Sequence, residues 1–155
     1  MRSDDQLDRD HTPEVLIAEA DAGDAEAAHH LALMSAAGLA RPQDWSEAFR
    51  RLAQAAASGH VLADETRRIL GPNPDLASWL HSPSPRILAQ EPHVLAIDGF
   101  VSHEVCDWLC ARALPHLEKA PVYDPETGQP LIKWSRSNSA TSFDLLDCDL
   151  VMMLV

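Results

Sequence analysis

Apolar residues in the first half of the chain recur at helical spacing between single glycines, and the breaks are sharply marked. Thr12-Pro13 supplies an N-cap and a proline at the first helical position, and Gly23 stops that helix. The pattern predicts a second helix from about Asp24 to Ala37, closed by Gly38. A third begins after Asp44 as N-cap and runs to Ser58, closed by Gly59, and a fourth runs from about Val61 to Leu70, ended by Gly71-Pro72. Short helices joined by single-glycine turns predict antiparallel hairpins. Five prolines then fall between Gly71 and Pro92, including Gly71-Pro72-Asn73-Pro74 and Ser82-Pro83-Ser84-Pro85. Proline at this density breaks helices and reads as a connector.

Past the connector, β-branched and aromatic residues replace alanine. Arg86-Ile87-Leu88-Ala89 and His93 to Ile97 read as strands separated by Glu91-Pro92, and Asp98-Gly99-Phe100 turns the chain. Ser102 caps a helix from His103 to about Leu114, whose expected buried stripe is Val105, Cys106, Leu109, Cys110 and Ala113. Pro115 ends or kinks it. Pro121-Val122-Tyr123 reads as a short strand, Asp124 to Gly128 as a turn, and the polar stretch Gln129 to Thr141 as a long loop. Asp149 is positioned to cap a last helix starting at Leu150.

Charge and composition narrow the function classes. Twelve Lys and Arg against 24 Asp and Glu give a formal net charge of -12 over 155 residues. That excludes non-specific binding to nucleic acid or to anionic membranes, which need a cationic surface. The 23 alanines against 8 aromatic residues favour closely packed helices over a thick aromatic core. No apolar run reaches the roughly 18 to 20 residues of a bilayer span. The N-terminal stretch, with Asp4, Asp5, Asp8 and Asp10, is too acidic for a secretory signal and reads as a disordered tail over 1–12; its acids lack the Gly and bidentate Glu of an EF-hand. Three cysteines, an odd number, make no disulfide framework, so the expected address is the cytoplasm.

A shift of 36 residues superimposes Ala20 on Ala56, Gly23 on Gly59, Ala27 on Ala63 and Leu33 on Ile69. Small residues at fixed offsets signal stacked helical pairs. Leu31, Leu33, Trp45, Phe49 and Leu52 are the expected space-fillers, with Trp79 also a packing residue. The stretch from Gly23 to Ala63 resembles the Sel1-like repeat, a relative of the tetratricopeptide repeat. That resemblance implies a protein or peptide partner docking on the helices.

The segment from Pro85 onward resembles the opening of a prolyl 4-hydroxylase-type domain, of the iron(II)- and 2-oxoglutarate-dependent dioxygenases. The resemblance rests on Glu91-Pro92, Phe100-Val101-Ser102 with Glu104 and Cys106, Val122, Asp124 with Thr127-Gly128, Arg136-Ser137-Asn138-Ser139, Phe143, and Asp149 with Val151. It implies a jelly-roll barrel, hydroxylation of a protein or peptide side chain with decarboxylation of 2-oxoglutarate, and a loop over 124–138 that folds across the substrate. Trp134 and Arg136 are then candidate substrate-loop residues, Arg136 as a guanidinium at the cleft mouth or as a structural arginine paired with a nearby acid.

The family holds iron through an H-x-D pair and a distant His, two imidazoles and a carboxylate on one face of the metal. All eight histidines here lie at or before His116, and H-x-D occurs nowhere. His116-Leu117-Glu118 is the nearest approximation and has no later His to join it. No catalytic residue, metal ligand or cofactor is therefore expected in this chain, although the parent family uses Fe(II), 2-oxoglutarate and ascorbate. The apolar run Val151 to Val155 reads as cut within an element, which leads to an expectation of a truncated product or partial sequence.

The expected fold is mainly α. A disordered acidic tail (1–12) precedes a Sel1-like α-hairpin block (13–70) and a Pro-rich connector with a short helix (71–85). An incomplete α+β segment (86–155) follows, corresponding to the start of a jelly-roll (double-stranded β-helix) dioxygenase domain. The expected function is an N-terminal fragment of a hydroxylase-type dioxygenase, inactive by itself. The alternatives are a non-catalytic adaptor built on the helical repeat and a split enzyme whose barrel another chain completes.

Three smaller clusters admit plain readings. Cys106 and Cys110 with His103 have ligand types suited to zinc but lack a fourth, and on an apolar stripe they read as core packing; Cys148 is similar. His29 and His30, adjacent on a helix, point about 100° apart and cannot face one ion together, so they read as a solvent-exposed pair.

Overall fold

A computed structural model describes residues 12–143 and 149–154. The protein is mainly helical with only short strands, and its contacts divide it into two compact units, one of residues 1–101 with 145–155 and the other of residues 102–144. The acidic tail and Cys148 lie outside the described residues.

The first unit is built on four helices: α1 (Pro13–Asp21), α2 (Ala25–Ala37), α3 (Trp45–Ala57) and α4 (Val61–Leu70). Each boundary has a local cause. The Asp24 side chain accepts from the Ala27 N–H at 2.8 Å and Asp44 from Glu47 at 3.0 Å, satisfying amide donors that the first helical turn leaves orphaned. Gly38 ends α2 in the left-handed region at φ 71°. Thr12 precedes α1 without a side-chain cap, so Pro13 alone starts it.

Alanine sets how closely these helices approach. Ala20, Ala27, Ala28, Ala32, Ala36, Ala48, Ala55 and Ala63 are all buried, with Leu16, Leu31, Leu33, Leu52 and Leu70 filling the gaps. The Asp44 N–H donates to the Ser35 carbonyl and so ties the start of α3 to α2, and Gln54 Nε2 reaches the Ala20 carbonyl and ties α3 to α1. Trp45 and Phe49, half-buried, meet in a tilted ring contact with centroids 5.6 Å apart. Arg51 is buried in α3 and donates to Asp21, Glu47 and Gln54, tying α1 to α3.

A short helix, α5 (Leu76–Trp79), interrupts the proline-rich stretch, and Trp79 is half-buried. Strands β1 (Arg86–Ala89) and β2 (Val94–Ala96) form an antiparallel hairpin, closed by the Arg86–Asp98 ion pair at 3.1 Å. The final described helix, α7 (Leu150–Leu154), packs against α2 and α4 and buries Leu150, Val151 and Leu154. Leu150, Val151 and Leu154 form the inward face of this helix, with Met152 and Met153 half-buried beside it. Asp149 caps it as expected, accepting from Val151 at 2.9 Å.

The second unit contains α6 (His103–Ala113), a 3-10 turn over Leu114–His116, and four two-residue strands: β3 (Glu118–Lys119), β4 (Val122–Tyr123), β5 (Pro130–Leu131) and β6 (Ser139–Ala140). β3 pairs with β6 and β4 with β5, both antiparallel. The stretch 129–141, expected as a continuous loop, therefore contributes two strand segments. Among the described residues the strands stay in separate two-stranded ribbons and do not join into a barrel.

The expected cysteine stripe is incorrect: Cys106 and Cys110 are exposed. The inward face of α6 is Val105, Trp108, Leu109 and Arg112, at i, i+3, i+4 and i+7, with Arg112 lying over the Trp108 ring at 5.3 Å. Cys106 and Cys110 sit about 100° and 140° around the helix from Val105. The larger Trp108 outcompetes them for the covered side.

Candidate functional site

The 102–143 unit carries the residues expected to form a substrate loop. Asp124 organises the loop's start. Its Oδ1 accepts from the Glu126 and Thr127 N–H groups at 2.9 Å each, and its carbonyl accepts from Gly128 at 2.8 Å. The backbone N–H of Thr127, then that of Glu126, holds the Asp124 carboxyl below its ordinary range. The turn returns Gln129 to Asp124 at 2.9 Å and sets β4 against β5.

Trp134 lies at the far side of this loop with 91% of its surface exposed. Arg136 is half-buried; it donates through Nε to Asn138 Oδ1 at 2.7 Å and through Nη1 to the Pro121 carbonyl at 2.8 Å. The contacts seen for Arg136 are thus an amide and a backbone carbonyl rather than an acid. With the Ala120 N–H donating to the Asn138 carbonyl, Arg136 fastens the β3–β4 link to the β6 approach.

Beside this fastening is an open depression of about 480 Å³, lined by His116, Glu118, Lys119, Pro121, Tyr123, Ala140, Thr141 and Ser142. An imidazole, a carboxylate, an ammonium and three hydroxyls line it, one of them on the exposed Tyr123 ring. This donor set can hold an extended polar chain by hydrogen bonds at its edge. It does not fit an iron centre. Among the described residues of this unit, no three His, Cys, Asp or Glu side chains converge, and His116 and Glu118 have no second imidazole beside them.

Convergence of that kind occurs in the helical unit instead, where the sequence pattern did not point. Glu26, His29 and His60 each present a ligand atom, all within 4.8 Å of one another. Glu26 and His29 are three apart on α2 and share a face. Because α3 runs back along α2, the turn after it delivers His60 to the same spot. His60 Nε2 lies 3.2 Å from Glu26 Oε2, its ring stacks on His29 at 4.2 Å, and its Nδ1 accepts from the Ala63 N–H at 3.1 Å as the N-cap of α4. His30 Nε2 meets the other oxygen, Oε1, at 3.2 Å.

His29 is only 2% exposed, so the expected solvent-exposed histidine pair is incorrect. Adjacent histidines indeed diverge, but each finds a partner elsewhere. Two signals were present in the sequence: the i, i+3 spacing of Glu26 and His29, and the placement of His60 36 residues after Asp24, at the equivalent N-cap.

Among known proteins, probable prolyl 4-hydroxylase 3 of Arabidopsis thaliana is 36% identical to this chain over 55 residues. The matched stretch is 36% of this chain and 19% of that protein, so the chain spans about a fifth of the relative's length. No family model and no solved structure matches. The similarity supports a distant relationship to prolyl 4-hydroxylases.

Proposed function

We propose that residues 86–155 are the N-terminal portion of a hydroxylase-type dioxygenase domain and that these 155 residues bind or present substrate without turning it over. The observation that carries this reading is the 36% identity to a prolyl 4-hydroxylase, together with the ordered Glu91-Pro92 to Arg136-Ser137-Asn138 motifs. The parent reaction inserts one oxygen atom of O₂ into a C–H bond of a protein or peptide side chain. The other atom enters succinate as 2-oxoglutarate loses CO₂.

In this reading the iron set is not drawn from the 102–143 unit, whose donors do not converge. The depression beside β3 and β6 holds peptide backbone through Lys119, Thr141 and Ser142, with Tyr123 offering an apolar face. Arg136 acts by holding Pro121 at its rim. The 13–70 block, read as a Sel1-like array, docks a protein partner.

Calorimetric titration of 2-oxoglutarate into the full chain, loaded with Fe(II) under anaerobic conditions, tests this. No saturable heat is expected. Micromolar affinity that persists in Glu26→Gln, where the helical-unit cluster lacks its carboxylate, would overturn it, because the co-substrate chelates iron only at an assembled centre with open positions.

A further inference from the structure

The geometry points to a divalent transition-metal site in the helical unit, formed by Glu26, His29 and His60. One carboxylate and two imidazoles are the ligand types that take zinc or cobalt, and three protein ligands leave a position for water. Metal–ligand bonds of about 2.0–2.1 Å place tetrahedral ligand atoms about 3.4 Å apart. The His60 Nε2 to Glu26 Oε2 separation of 3.2 Å already has about that length, and the whole trio lies within 4.8 Å, so binding draws its atoms together by at most about 1.4 Å.

The surroundings suit an ion. His29 is buried, His60 is stacked on it, and His30 holds the second oxygen of Glu26 from outside, as partners beyond the ligands commonly do. The Glu26 side chain is largely exposed, which gives the ion an entry path.

Proton positions give the site a signature. Without metal, His60 Nδ1 accepts from Ala63, so its proton resides on Nε2 and is donated to Glu26. A metal bound at Nε2 displaces that proton. It passes through solvent to Nδ1, leaving the imidazole neutral, and Ala63 loses its acceptor. Metal occupancy and the histidine cap of α4 therefore exclude each other.

The test uses the full chain stripped with a chelator, titrated with Co²⁺ and then Zn²⁺. One equivalent of Co²⁺ is expected to give visible d–d absorption that Zn²⁺ removes, with faster exchange of the Ala63 amide in the Zn²⁺ form. Glu26→Gln and His60→Asn, the second keeping a good N-cap residue, are each expected to weaken binding by roughly ten-fold or more. Circular dichroism checks that both variants remain helical, and His116→Ala is expected to bind as wild type does. The proposal is overturned if wild type binds neither ion saturably, or if Glu26→Gln or His60→Asn binds as tightly as wild type. It stands apart from the dioxygenase reading, since neither ion is asked to do redox chemistry.

Discussion

Replacing Glu47 by Gln should flatten the acid limb of this protein's stability curve. Arg50 grips the Glu47 carboxylate through two bonds of 2.6 Å each, and the buried Arg51 adds a third at 2.9 Å. Together, Arg50 foremost, they lower its pKa from 4.5 to about 2. A folded-state pKa below the unfolded one means the stabilisation is complete above the unfolded value and fades as pH falls from 4.5 towards 2. Each tenfold change in proton affinity is worth about 1.4 kcal/mol, which sets an upper bound of roughly 3.4 kcal/mol. Solvent reaches a quarter of the side chain and screens the pair, so the realised contribution is on the order of 1–2 kcal/mol. The assay is thermal or urea unfolding of wild type and Glu47→Gln across pH 2 to 7. The two stabilities should differ by that amount at pH 7 and converge towards pH 2, while other carboxylates titrate in both proteins and cancel. Parallel curves would refute the claim that Arg50 and Arg51 hold this carboxylate ionised.

Gly38→Ala should cost about 1–2 kcal/mol in urea unfolding, because the residue sits at φ 71° and an added Cβ would lie 3.2 Å from the Gln43 backbone nitrogen. Ala28→Leu should cost roughly 1–3 kcal/mol or prevent folding, since Ala28 is fully buried in the helical core; an unchanged unfolding midpoint would contradict close alanine packing. Cys106 and Cys110 should both react with a thiol reagent in the native protein at rates near those of the unfolded chain, whereas two protected thiols would restore the buried stripe.

The helical half was largely legible because its signals are local. Asp24, Asp44, Gly38 and Gly71 act within one turn of themselves, so each boundary could be located without knowing the neighbours. The α6 face was misjudged because Cys106 and Cys110 match an apolar stripe as well as Trp108 and Arg112 do, and only packing decides between them. The β3–β6 pairing joins residues about 20 apart through strands of two residues, too short to carry a period. The Glu26–His29–His60 cluster was hidden for a related reason. Its ligands come from a helix and from a turn one hairpin later, so reading His29 with His30 followed the chain where the fold does not. Arg136 stood out in the sequence, and its partners, Asn138 and Pro121, emerged only with the loop's path.

The most direct test of the account is succinate release. The full 155-residue chain is incubated with Fe(II), ascorbate, 2-oxoglutarate, oxygen and a proline-containing peptide, and succinate is quantified by mass spectrometry beside a protein-free control. The account predicts succinate at the control level and an unmodified peptide. Succinate formed in step with peptide hydroxylation, and abolished by omitting Fe(II), would contradict it.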